Sequence, residues 1–159
     1  MTASLGARLR ESVDAAVARL AAISDDDASQ PRAAGKWSPK EVIGHLIDSA
    51  CNNHSRFVRA TLDDGLEFPG YDQEAWVKAQ NYVSADWSDL VQLWREYNLH
   101  IARIVDGMPR ELLEKPRARH NLDVIAWKTL PRDQPATLGY FINDYIDHLE
   151  HHLAQIGNR

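Results

Sequence analysis

Apolar residues recur at three- and four-residue steps along four long stretches of this chain, and each run predicts an amphipathic helix. The first runs from about Ser4 to Ile23, with Leu5, Leu9, Val13, Ala16, Val17, Leu20 and Ile23 on one stripe. The second opens at Ser38-Pro39-Lys40-Glu41, a cap hydroxyl, a proline at the first helical position and a glutamate three residues after the cap. Val42, Ile43, Leu46, Ile47, Ala50, Phe57 and Val58 carry it to about Leu62. The third covers about Ala85 to Asp106, with Trp87, Leu90, Val91, Trp94, Tyr97, Ile101, Ile104 and Val105 in phase and Gly107 beyond its end. The last spans about Ala136 to Ile156 and is stopped by Gly157.

Between these runs the chain reads as loop. Ser24-Asp25-Asp26-Asp27 closes the first helix as an acidic loop with no backing ligands. Residues 63–83 are punctuated by Gly65, Pro69 and Gly70, with a short helix expected from Asp72 to Gln80. Pro109, Pro116, Pro131 and Pro135 interrupt the segment before the last helix, where Asn121 to Trp127 is the single short candidate strand. No repeat or linker divides the chain, so residues 1–159 read as one domain. Four stripes that can be hidden only against one another predict an all-α, four-helix bundle. Long connections after the second and third helices suit a roof over a site.

Composition narrows the function classes. The 159 residues are 44% hydrophobic and 26% charged, a globular balance. No apolar run approaches the roughly 20 residues of a membrane span. A net charge of −5 without a lysine and arginine cluster argues against a nucleic-acid partner. The longest basic run, Pro116-Arg117-Ala118-Arg119-His120, reads as a solvated loop. Met1 leads directly into a charged amphipathic segment without a signal peptide's apolar centre, so a cytoplasmic protein is expected. Cys51 is the only cysteine; it can form no internal disulfide and reads as a packing residue.

The histidines carry the chemistry. In Tyr145-Ile146-Asp147-His148-Leu149-Glu150-His151-His152, His148 and His152 stand four residues apart, on one helix face and one turn from each other. Two imidazoles so placed can converge on one cation at about 2.1 Å. A third ligand must come from elsewhere. His45 is the candidate, at the edge of the second helix's apolar face beside Ser49, Asn52, Asn53 and Arg56. Three protein ligands would leave a position open for chemistry. Spacing alone favours a solvated helix end, where protonated histidine meets the negative dipole. His54 falls within its helix's apolar arc and reads as a core histidine, His151 faces outward with Asp144, and His100 and His120 have no phase-matched partner.

The segments from Trp37 to Ser49 and from Asp144 to Leu153 resemble the second and closing helices of the DinB-like (damage-inducible, YfiT-like) superfamily. Pro69-Gly70-Tyr71-Asp72-Gln73-Glu74-Ala75-Trp76 is similar to a middle segment of its YfiT-like branch, so the resemblance covers nearly the whole chain. It implies an up-down-down-up four-helix bundle, usually a homodimer, with a divalent metal on three histidines that fall here on His45, His148 and His152. Zinc and nickel lead the candidate metals, since imidazole suits both.

The resemblance also implies an activity. Some members use a low-molecular-weight thiol, as bacillithiol- or mycothiol-dependent transferases and isomerases; others are named metal-dependent hydrolases. The expectation is therefore a metal-dependent enzyme that activates a thiol for transfer to a small electrophile. Its alternatives are hydrolysis by metal-activated water and a non-catalytic, metal-stabilised stress-response binding module. Asn52, Asn53 and Arg56 are candidates for binding a substrate carboxylate or sulfonate. Asp48 or Asp144 is a candidate acceptor for an imidazole N–H, and Trp76 and Trp87 are candidates for lining the pocket.

Overall fold

The computed structural model of the chain describes residues 3–157, and helices dominate it. In chain order they are α1 (Leu5–Ala21), α2 (Asp25–Ala28), α3 (Pro39–Ala60), α4 (Gln73–Gln80), a 3-10 turn (Tyr82–Ser84), α5 (Trp87–Asp106), α6 (Arg110–Glu114), α7 (Leu122–Ile125) and α8 (Leu138–Ile156). The four long helices α1, α3, α5 and α8 form a four-helix bundle. No strand forms among the described residues, only two isolated bridges, Leu66 with His120 and Arg117 with Ala136. None of the described helices is long and apolar enough to cross a membrane.

Local rules set the helix starts. Ser38 accepts from the Glu41 amide while the Glu41 carboxylate accepts from the Ser38 amide, so the capping box of α3 is complete. Ser4, Asp86 and Thr137 cap α1, α5 and α8 through their side-chain oxygens.

Contacts between helices fix their directions. Trp87 Nε1 at the start of α5 donates to Leu20 O at the end of α1 (2.9 Å), while Gly6 at the start of α1 packs on Ala102 and Asp106 at the end of α5. These two helices are antiparallel. The starts of α3 and α5 share one end, because Asp25 accepts from Lys40 Nζ (3.0 Å) and from the Trp87 amide (2.8 Å). Helices α3 and α8 are antiparallel: Phe57 meets Phe141 at one end and His45 meets His148 at the other. Arg8 bonds Asp147 and Glu150 while Arg19 bonds Leu153 O, so α1 and α8 run the same way. The result is up-down-down-up.

Several local expectations change. The acidic run 24–27 is not a loop: Ser24 caps the short helix α2, and its aspartates stabilise the positive helix start. The candidate strand at Asn121 to Trp127 is the short helix α7 followed by loop. The basic run is not freely solvated. Arg117 is buried and donates to Ala60 O (2.8 Å) and Asp63 O (2.9 Å), closing the end of α3. His120 is buried too, donating from Nε2 to Gln134 O (2.7 Å) and accepting the Leu122 amide on Nδ1 (3.1 Å). Cys51 is exposed instead of packed, and Val58 leaves the buried stripe. His54 is half-buried rather than core, its Nδ1 bonded to the Tyr97 hydroxyl at 3.0 Å.

Candidate metal centre

Helix α3 presents His45 in its second turn, held from both sides. Gly44 allows the Tyr82 ring to lie directly on the helix backbone; a Cβ there would collide with that ring. On the other side the Trp37 ring packs on the imidazole, with centroids 5.1 Å apart. His45 is consequently 1% exposed. Helix α8 runs antiparallel beside it and presents His148 and His152 from successive turns, both half-buried.

The three imidazoles meet. His45 Nε2 and His148 Nε2 are 3.3 Å apart, and one nitrogen from each of the three rings lies within 4.8 Å of the others. Nitrogens sharing a tetrahedral cation at about 2.0–2.1 Å stand about 3.4 Å apart, so the first pair already has the required spacing. Among the described residues, no other histidine, cysteine or acidic residues form such a group of three.

Protonation suits ligation. Burial, then the nearby charge of His152, pushes the His45 pKa down to about 4. Burial, then His152, His45 and His151, pushes His148 down to about 3. Burial lowers His152 as well, against a hydrogen bond to Gln155. All three are therefore neutral at pH 7, with lone pairs available to a cation. Gln155 Oε1 accepts from His152 Nδ1 (3.0 Å), which keeps the proton on Nδ1 and leaves Nε2 to coordinate. His45 Nδ1 is buried without a partner.

Neither aspartate expected beside an imidazole N–H takes that role for His45 Nδ1. Asp48 accepts from Tyr82 OH (2.6 Å) and Gln80 Nε2 (2.8 Å); burial raises its pKa and these bonds oppose the rise. Asp144 accepts the amides of Trp127 (2.9 Å) and Lys128 (2.7 Å), which pins the loop after α7 against α8. Burial raises its pKa also, opposed by those two amides. The pinned loop puts the Trp127 ring 5.9 Å from His148 and 4.9 Å from His151.

Two cavities adjoin the histidines. One of about 450 Å³ has His148, Trp127, Tyr71, Asn53 and Arg56 in its wall. The other, of about 530 Å³, lies on the His152 side and is lined by Trp37 and Gln155 among others; Gln73 reaches both. Of the residues proposed from sequence to hold substrate, Arg56 and Asn53 line the first cavity. Asn52 lines neither: its amide turns back to Asp48 O (2.9 Å) on its own helix. Trp76 packs at a tilt against Tyr71, 5.1 Å between centroids, outside both walls. Trp87 is a core residue bonded to α1. Sequence reasoning missed Tyr71, Trp127 and Gln155. The first two arrive on loops that helical periodicity does not describe; Gln155, three residues after His152, was within its reach.

The family model of the DinB superfamily matches residues 8–156. The candidate metal-dependent hydrolase YfiT of Bacillus subtilis is 23% identical over 134 residues, 84% of this chain and 70% of YfiT. A candidate metal-dependent hydrolase of Geobacillus thermodenitrificans is 24% identical over 102 residues, 64% of this chain and 57% of its own length. The solved structure of B. subtilis YfiT, described as an unusual four-helix bundle topology, superposes with a TM-score of 0.74 at 20% identity, covering 98% of this chain and 86% of that one.

Proposed function

This chain belongs to the DinB superfamily, and on that premise we propose that it is a metal-dependent enzyme whose divalent cation is held by His45, His148 and His152. The observation that carries the proposal is the 3.3 Å separation of two Nε2 atoms with the third imidazole inside the same 4.8 Å cluster. A divalent cation held by these three histidines would supply Lewis acidity, sufficient to lower the pKa of water or a thiol toward neutrality.

The chain's own residues supply the rest. Gln155 holds the His152 tautomer, the Tyr82 ring fixes the backbone under His45, and Trp37 and Trp127 shield the imidazoles from bulk water. The cavity on the His148 side gives a small substrate a wall of mixed polarity next to the centre. The hydrolytic reading is supported by the descriptions of the relatives as candidate metal-dependent hydrolases. Thiol transfer is the second reading; a cavity of about 450 Å³ has room for a small thiol beside an electrophile.

The test uses protein purified without immobilised nickel and reloaded separately with zinc and nickel. Ester and amide hydrolysis is assayed beside conjugation of electrophiles with several thiols. Metal-dependent hydrolysis absent from a His45→Ala variant supports the first reading, and conjugation alone supports the second. Turnover in neither assay refutes the enzyme and leaves a metal-stabilised binding module.

A further inference from the structure

Arg56 is 6% exposed, yet it forms no ion pair with any carboxylate among the described residues. Its guanidinium donates to Pro69 O (2.9 Å) and, at 3.4 Å, to Asn53 Oδ1, both neutral acceptors. Those bonds use two of the five N–H groups a guanidinium carries. A charge withdrawn from water without a counter-ion is costly unless something negative joins it. Burial accordingly lowers the Arg56 pKa, with only the Tyr71 hydroxyl acting to raise it.

Its position gives that charge a use. Arg56 lies in the wall of the cavity whose other side carries His148. It stands eleven residues after His45 on α3, which returns it to the same helix face. Helical side chains lean toward the N-terminus, and the guanidinium's bond to Asn53, three residues earlier on α3, lies on that side. The one carboxylate among the lining residues is Asp144, and both of its oxygens already accept loop amides. Tyr71 lies under the guanidinium at 5.9 Å, and Phe141 adds an apolar surface to the same cavity wall.

We propose that Arg56 is the anchor for a carboxylate on the substrate, so that the enzyme acts on small molecules bearing a carboxylate on an apolar body, with the reacting group turned toward His148. This rests on the reading of the cavity as the substrate site of a metal-dependent enzyme. A guanidinium takes a carboxylate through two parallel N–H bonds, which a lysine cannot reproduce.

Benzoate and its neutral isostere benzamide are the probes, titrated calorimetrically into the full-length chain, once zinc-loaded and once after chelator treatment. Benzoate is expected to bind at least tenfold more tightly than benzamide in both preparations. Arg56→Met is expected to erase that preference with zinc content unchanged, and Arg56→Lys to restore only part of it. Equal binding of the two probes by the unmodified chain overturns the proposal without relying on any variant, as does a preference that survives in Arg56→Met. Zinc content is measured separately, so a chain that prefers benzoate but holds no metal refutes the metal reading while leaving the anion anchor in place.

Discussion

Helices α3 and α8 meet along one seam whose two ends are built from opposite materials. At the end formed by the last turns of α3 and the first of α8, Phe57 packs edge-on against Phe141 and Tyr145, at 5.7 and 5.6 Å, and Phe68 stacks on Phe141. All four side chains are buried, and that contact stabilises the bundle through area removed from water. At the other end the same helices bring together three imidazoles, two half-buried and one, His45, fully buried with a ring nitrogen that has no partner. Burial there disfavours the charged histidines and makes no comparable apolar contact. One end of the seam holds the fold; the other carries the candidate metal centre at a cost in stability.

At the apolar end, Phe141→Ala should lower the unfolding free energy in urea by about 4 kcal/mol, through lost transfer energy and a residual cavity. A loss below about 1 kcal/mol would mean that this end is not where the stability resides.

At the imidazole end the contrast appears as pH dependence of the chelator-treated protein. The His45 pKa is about 4 folded against about 6.5 unfolded, so below pH 6.5 the unfolded chain binds the extra proton first. Stability should be complete above about pH 6.5 and fall as pH drops toward 4, by about 3 kcal/mol from His45 alone. Urea midpoints measured between pH 7 and 4 test this, with His45→Phe expected to reduce the slope and His148 to supply what remains. An unchanged slope in that variant would place the titration elsewhere.

Gly44→Ala should cost about 2 kcal/mol by driving a methyl into the Tyr82 ring beside His45. It should also weaken metal retention, whereas Phe141→Ala should leave retention intact; calorimetry with zinc separates the two. The smallest effect is expected at the α3 start, where Ser38→Ala should cost about 1 kcal/mol by breaking the capping box. Thermal unfolding detects a loss of that size.

The long helices were legible because each carries one continuous apolar stripe, and the start of α3 because three residues encode its cap. Observed ends fall within two residues of the periodic runs, as at Ala60 against the expected Leu62. The shorter elements were not legible for specific reasons. Helix α2 is four residues long, too short to show a period, and is held by its cap and by Asp25 reaching Lys40 and Trp87. Arg117 looks solvated in sequence because its partners are backbone carbonyls more than fifty residues away.

The candidate site divides the same way. The spacing of His148 and His152 is written in one helix, while their meeting with His45 depends on the antiparallel α3–α8 seam. The stripe of Ser49, Asn53 and Arg56 follows from helical phase, although phase alone does not exclude Asn52. Trp127 enters the cavity wall only because Asp144 captures two amides of a distant loop, and no local pattern announces that.

The proposed chemistry depends on the sharing of one cation by three imidazoles from two helices. Its most direct test is metal content by mass spectrometry on chain purified without a nickel column, compared with His148→Ala purified identically. About one divalent ion per chain is expected, falling to near zero in the variant; an ion retained in full after loss of His148 would overturn the shared site.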